Sequence, residues 1–224
     1  MGRNCLEKGL KMQRELPKSK FIAAFSITIL IFLVIIVSNN YFNEIRMNQL
    51  QKIYNDIRVD ALNAEAQYEI LSENPCLMMN FDPISGQLFE LGNKLTEMED
   101  SLGKTNAQVL DMKKYYSVLE ARHWLFVKKV SKQCNSNATP ILFFYSNAGD
   151  CGDCEQQGFV LGYIKKIMPQ VYIYSFDSNL DSSAVKALKA SYNITEVPSL
   201  VIKEKVYAGL KDADSITSIL QNLH

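Results

Sequence analysis

Residues 21–37, FIAAFSITILIFLVIIV, carry no charge and no helix breaker. A helix apolar on every face needs either a large protein core or lipid around it, and a chain of 224 residues offers little of the first. The stretch rises about 26 Å as a helix, short of the roughly 30 Å hydrocarbon core. Extension through Ser38 to Tyr41 and Phe42, which suit the interface, closes that gap. A single transmembrane anchor is therefore expected over residues 21–42, with the lipid bilayer as its partner. Arg3, Lys8, Lys11, Arg14, Lys18 and Lys20 precede it against only Glu7 and Glu15, and the next basic residue is Arg46. The positive-inside rule then makes residues 1–20 a basic cytoplasmic tail at the cell membrane and leaves the rest extracytoplasmic. A cleaved signal peptide is the rival reading. Its apolar region would be unusually long, Ile36 to Ser38 is a poor cleavage site, and no lipobox-like cysteine follows.

This orientation sorts the five cysteines. Cys5 falls on the reducing side, whereas Cys76, Cys134, Cys151 and Cys154 face a compartment where disulfides persist. Twenty-four lysines and arginines balance 24 aspartates and glutamates, so global charge gives no sign of a nucleic-acid partner.

Residues 43–134 read as a helical stalk of about three helices. Residues 41–73 lack proline and glycine. Leu50, Ile53, Ile57, Ala61, Ala64, Tyr68 and Leu71 recur there at coiled-coil-like spacing until Asn74-Pro75. Leu88, Leu91, Leu95, Met98 and Leu102 repeat the pattern up to Gly103. Val109, Met112, Tyr116, Leu119, His123, Phe126 and Val130 repeat it again. Short connections favour antiparallel neighbours. Cys76 after the first helix and Cys134 after the third then share the distal end, where a structural disulfide is expected. Unpaired or partner-linked thiols and a second redox pair are the alternatives. His123 and Trp124 read as packing residues, Trp124 at the bundle surface. The heptads could instead bury themselves in a homodimer of stalks.

From Pro140 the pattern changes. ILFFYS (141–146) and VYIYSF (171–176) read as buried strands. Between them, residues 152–168 suit a helix with Phe159, Val160, Tyr163, Ile164 and Ile167 on its apolar face. Gly158 and Gly162 weaken that helix unless it packs closely on the sheet. A second helix follows, with Asp181 as candidate N-cap, Val185, Leu188 and Tyr192 on one face, and Asn193 at a left-handed terminus. SLVIKE and KVYAG read as two more strands, and residues 212–222 as a last helix bearing Ile216, Ile219 and Leu220. The fold class is α/β, ordered β-α-β-α-β-β-α, preceded by the stalk and anchor.

Into this frame falls CGDC, Cys151 to Cys154, between the first strand and its helix. Such a pair can exchange electrons, bind metal or staple a loop. A zinc site wants four Cys or His ligands, and with no second CxxC and only His123 and His224 available, no metal is expected unless Cys76 and Cys134 join.

With YNITEVPSL (192–200) before the third strand, residues 139–224 resemble the thioredoxin-like superfamily. That family carries Tyr-Gly-Ile-x-x-Ile/Val-Pro-Thr-Leu there; Asn193 replaces the glycine and Ser199 the threonine. The resemblance implies a cis Pro198, with Val197 and Pro198 beside the cysteines and the Val197 backbone available to a bound peptide. It further implies thiol-disulfide exchange with extracytoplasmic proteins. Cys151 would be the nucleophile near a helix N-terminus and Cys154 the resolver. A membrane redox partner would supply or take the electrons, and no organic cofactor is expected. Asp150 and Asp153 oppose ionisation of the thiol, and no histidine lies within the motif, so the pair is expected to be relatively reducing. Nor does ILFFYS hold the acid that thioredoxins bury in this strand; Phe144 falls near its place. The sequon at Asn137 lies in a linker, while that at Asn193 borders the active face and is expected bare. A rival of another class is a non-catalytic tethered assembly protein that uses the domain to bind peptides.

Overall fold

The computed structural model describes residues 18–76 and 83–221. The basic tail up to residue 17, Cys5 and His224 lie outside the described residues, as do the side chains of Arg46, Leu50, Ile53, Ile57 and Ala61. The chain divides into two units, Met1–Gln51 and Lys52–His224. In the first, helix α1 (Lys18–Glu73) begins. Its Lys18–Gln49 portion is long and apolar enough to cross a membrane and is uncovered by protein. At about 1.5 Å per residue these 32 residues span ~48 Å, more than the hydrocarbon core requires.

The second unit holds the remainder of α1, then α2 (Pro83–Leu102) and α3 (Ala107–Gln133). Gly103, at φ +90°, ends α2 in a conformation that disfavours any side chain. The Asn106 side chain then accepts a hydrogen bond from the Gln108 N–H and starts α3. Lys94 pairs with Asp60 at 2.7 Å and Arg122 with Glu65 at 2.9 Å. Because the Cys76–Cys134 disulfide joins the far ends, with Cα atoms 5.5 Å apart, α3 runs parallel to this part of α1 and α2 runs against both. Closing a loop of 58 residues contributes about 4 kcal/mol in the chain-entropy picture. Ala64, Tyr68, Leu88, Leu91, Leu95, Met98, Val109, Met112, Leu119, Phe126 and Val130 are buried, which is the seam spacing predicted.

Strands β1 (Thr139–Tyr145), β2 (Val171–Asp177), β3 (Ser199–Ile202) and β4 (Lys205–Ala208) form one sheet in the order β2-β1-β3-β4. β1 and β2 are parallel, and the other pairings are antiparallel. Helices α4 (Cys154–Ile167), α5 (Ser183–Tyr192) and α6 (Ala213–Gln221) alternate with them. Period-two alternation splits β1 between two cores. Ile141 and Phe143 meet Leu161 and Ile164 of α4 and Ile216 and Leu220 of α6. Leu142 and Phe144 meet Val185 and Leu188 of α5, together with Trp124 of α3. Two apolar layers on a central sheet fix the direction of every strand end.

Three details differ from the sequence reading. Trp124 is buried against the sheet rather than lying at the bundle surface, because α3 covers the same sheet face as α5. Its ring meets Tyr192 edge-on at 6.2 Å and carries the Lys128 ammonium at 4.9 Å. The buried stripe of α4 is Cys154, Gln157, Leu161 and Ile164, which leaves Phe159 70 % exposed and Tyr163 and Ile167 exposed as well. Gln157 conceals this stripe from a hydropathy reading: its Oε1 accepts from the Lys211 N–H at 2.7 Å and its Nε2 donates to the Lys211 carbonyl at 3.2 Å. Gly158 and Gly162 have open space where a Cβ would stand, so close packing on the sheet does not explain them. Finally, α5 is capped at Ser182, not Asp181, whose carboxylate pairs with Lys186 in solvent. Asn193 takes the left-handed terminus as expected, at φ 50° and ψ 48°.

Candidate functional site

β1 ends at Tyr145, and the chain turns through Ser146–Asp150 to reach Cys151. Helix α4 opens at Cys154, with Asp153 as an N-cap that makes no side-chain bond. Cys151 therefore lies in the turn before the helix, not within its first turn, and its sulfur is bonded to that of the first helical residue. Cys151 is half-buried, while Cys154 is only 6 % exposed. A partly exposed cysteine bonded to a buried one is the asymmetry that ordered exchange requires. Unsatisfied N–H groups at the start of α4 favour negative charge on a sulfur placed there.

The facing side is built by β3. Phe144 of β1 stands opposite Ser199, so Pro198 and the loop before it lie at the same sheet end as the cysteine turn. The Val197–Pro198 peptide is cis. The Pro198 carbonyl accepts from the Gly209 N–H at 2.8 Å, and the Ser199 hydroxyl donates to the Glu196 carbonyl at 2.8 Å. Among the described residues, the Val197 main chain makes no hydrogen bond.

A CxxC pair at the start of a sheet-packed helix, opposite a cis-proline that leads into an antiparallel strand, decides the fold of this segment. It is thioredoxin-like. Solved structures similar to the chain include thioredoxin O2 from Arabidopsis thaliana in its oxidized state, at 22% identity, covering 44% of this chain and 86% of that one, with a TM-score of 0.33. Thioredoxin O1 from the same plant, also oxidized, is similar at 23% identity over 44% and 88% of the two chains, with a TM-score of 0.34. No protein-family model and no curated protein matches the sequence.

Cys76 is joined to Cys134 and Cys151 to Cys154 in two separate disulfides, the second of them within the thioredoxin-like segment. Phe144 is wholly buried in apolar surroundings and supplies no acid near the pair. Acids instead reach the sheet from α2, α3 and the end of β2. Lys113 of α3, 6 % exposed, contacts Glu99 at 2.8 Å and Asp177 at 3.5 Å. Sequence reading passes over these residues because each looks like a surface charge on its own helix or strand. His123 is a packed residue, as expected: its Nδ1 lies 2.9 Å from the Tyr174 hydroxyl.

Glu120 is the second buried acid. Its Oε1 accepts from the Ser175 N–H at 3.2 Å, on the side of β2 that no strand covers. Burial pushes the carboxyl up from 4.5 to about 8, against the hydrogen bond from Ser175. The folded chain thus keeps a proton that the unfolded chain releases. The stability tied to this difference is complete below about pH 4.5 and disappears as pH rises through about 8. Glu120→Gln retains the acceptor and cannot ionise. Relative to the native chain, it is expected to gain stability between pH 5 and pH 9, bounded by ~5 kcal/mol at about 1.4 kcal/mol per pKa unit. Urea denaturation at both pH values measures the difference, and an unchanged difference would mean that Glu120 ionises freely in the fold.

Proposed function

We propose that the chain is a membrane-anchored thiol-disulfide oxidoreductase acting on extracytoplasmic proteins through Cys151 and Cys154. The observation carrying this reading is the half-exposed Cys151 bonded to buried Cys154 at the start of α4, across from Val197 and Pro198. In the reducing direction, the Cys151 thiolate attacks a substrate disulfide, whose S–S bond breaks as a mixed disulfide forms, and the departing sulfur takes a proton from solvent. The Cys154 thiolate then attacks the Cys151 sulfur. The second substrate thiol leaves, and the two electrons of the dithiol now reside in the substrate. The unpaired main chain of Val197 suits hydrogen bonding to an extended peptide that brings its disulfide to Cys151.

Residues 21–42 would hold the chain in the bilayer, with the N-terminus cytoplasmic by charge asymmetry. Tethering raises the effective concentration of a membrane redox partner able to restore the dithiol. Cys76–Cys134 would serve as a structural staple.

Changing Cys154 to alanine removes the resolving sulfur and is expected to leave substrates covalently trapped on Cys151. Mass spectrometry of adducts from native membranes would identify them. Absence of any adduct would remove the main support for exchange.

Exposure of Phe159, Tyr163 and Ile167 in line along α4 favours a second reading, in which the segment binds peptide or protein without redox chemistry. Such a module would retain its partner when Cys151 is replaced.

A further inference from the structure

A continuous line of polar contacts leads from the helical bundle to the residue immediately before Cys151. Lys113 of α3 contacts Asp177 Oδ2 at the end of β2, and Glu99 of α2 holds the same ammonium from the other side. The other oxygen of Asp177, Oδ1, accepts from the Asn179 N–H at 3.1 Å. The Asn179 side-chain amide donates to the Ser146 hydroxyl, which lies just after β1. Ser146 Oγ also accepts from the Ala148 N–H at 3.1 Å. A hydroxyl has two lone pairs and one hydrogen. With both acceptor positions occupied, the Ser146 hydrogen is directed to its remaining partner, Asp150 Oδ1.

We propose that this Lys113–Asp177–Asn179–Ser146–Asp150 chain positions the Asp150 carboxylate and so sets the reactivity of Cys151. A carboxylate next to a thiol opposes its ionisation. Donation from Ser146 draws part of that charge away and fixes the side chain on the β1 side of the turn. The nearby acids Asp153 and Glu155 have no such partner among the described residues, so Asp150 is the one whose influence the fold controls. Asn179, Ser146 and Lys113 are positioning residues, and α2 and α3 belong to the redox apparatus as well as to the stalk. The inference rests on Cys151 being the attacking thiol.

The test is the Cys151 thiol pKa of the reduced full chain in detergent, read from the pH dependence of alkylation with iodoacetamide. Asn179 is exposed, so Asn179→Ala removes a link without opening the core. That variant is expected to raise the Cys151 pKa by about 0.5, an approximately threefold fall in thiolate below the pKa. Ser146→Ala should shift it in the same direction. Asp150→Asn should lower it, and adding Asn179→Ala in that background should change nothing further. Gln156→Ala, exposed on α4 and outside the chain of contacts, is the control and should match the native value. A native pKa in Asn179→Ala, or an equal shift with and without Asp150, would overturn the proposal. The titration needs no turnover, so a native chain that alkylates normally but reduces no disulfide would count against the exchange reading and leave this test intact.

Discussion

Cys151→Ser is expected to abolish disulfide reduction, lowering the rate with a protein disulfide by at least about a thousandfold, while the fold survives. A serine hydroxyl remains protonated at neutral pH and cannot attack sulfur as a thiolate does. The substitution is nearly isosteric at a half-buried turn position, so little packing changes. Cys154, at 6 % exposure, is poorly placed to replace it as the attacking group. The measurement is reduction of insulin or a fluorescent peptide disulfide by the detergent-solubilised chain, with circular dichroism to confirm folding. Retention of more than about a tenth of native activity would assign the chemistry to another group. Loss of reduction together with continued capture of a native partner would favour the binding-module reading.

The second large effect concerns stability. Lys113→Met is expected to cost about 3–5 kcal/mol, because it leaves Glu99 and Asp177 facing one another without a cation in a site that excludes most water. Burying charge is expensive, and here one ammonium offsets two carboxylates. Neutralising all three groups, as Glu99→Gln, Lys113→Met and Asp177→Asn together, should recover most of the loss, because it removes the unpaired charges and not merely their partner. Denaturant unfolding of the three chains provides the comparison. A loss below about 1 kcal/mol for Lys113→Met would show that the cluster is solvated and contributes little.

These effects bear on how α3 is understood. The heptad positions Val109, Met112, Leu119, Phe126 and Val130 were readable as one apolar stripe, and they are buried. The residues between them, Lys113, Glu120 and Trp124, look from the sequence like the outward face of a stalk helix. They are buried too, because a sheet lies on that side. A helix with two partners has two buried faces, and hydropathy marks only the apolar one. The same reasoning explains α4, where Gln157 is fully buried through its paired bonds to Lys211 and a stripe of apolar residues remains outside.

The sequence alone determined what local chemistry dictates. An uncharged apolar run specifies a helix able to cross a bilayer, Asn193 suits the left-handed terminus of α5, and the CxxC and Val-Pro segments flank strands that meet at one end of the sheet. Only the tertiary structure decided which polar residues lie inside. It brought Lys113 to Glu99 and Asp177, Glu120 to the open side of β2, and Asn179 and Ser146 into line with Asp150. Such contacts join residues 4 to 64 positions apart in chains of charge and hydrogen bonding that have no periodicity, so nothing in the order of residues announces them.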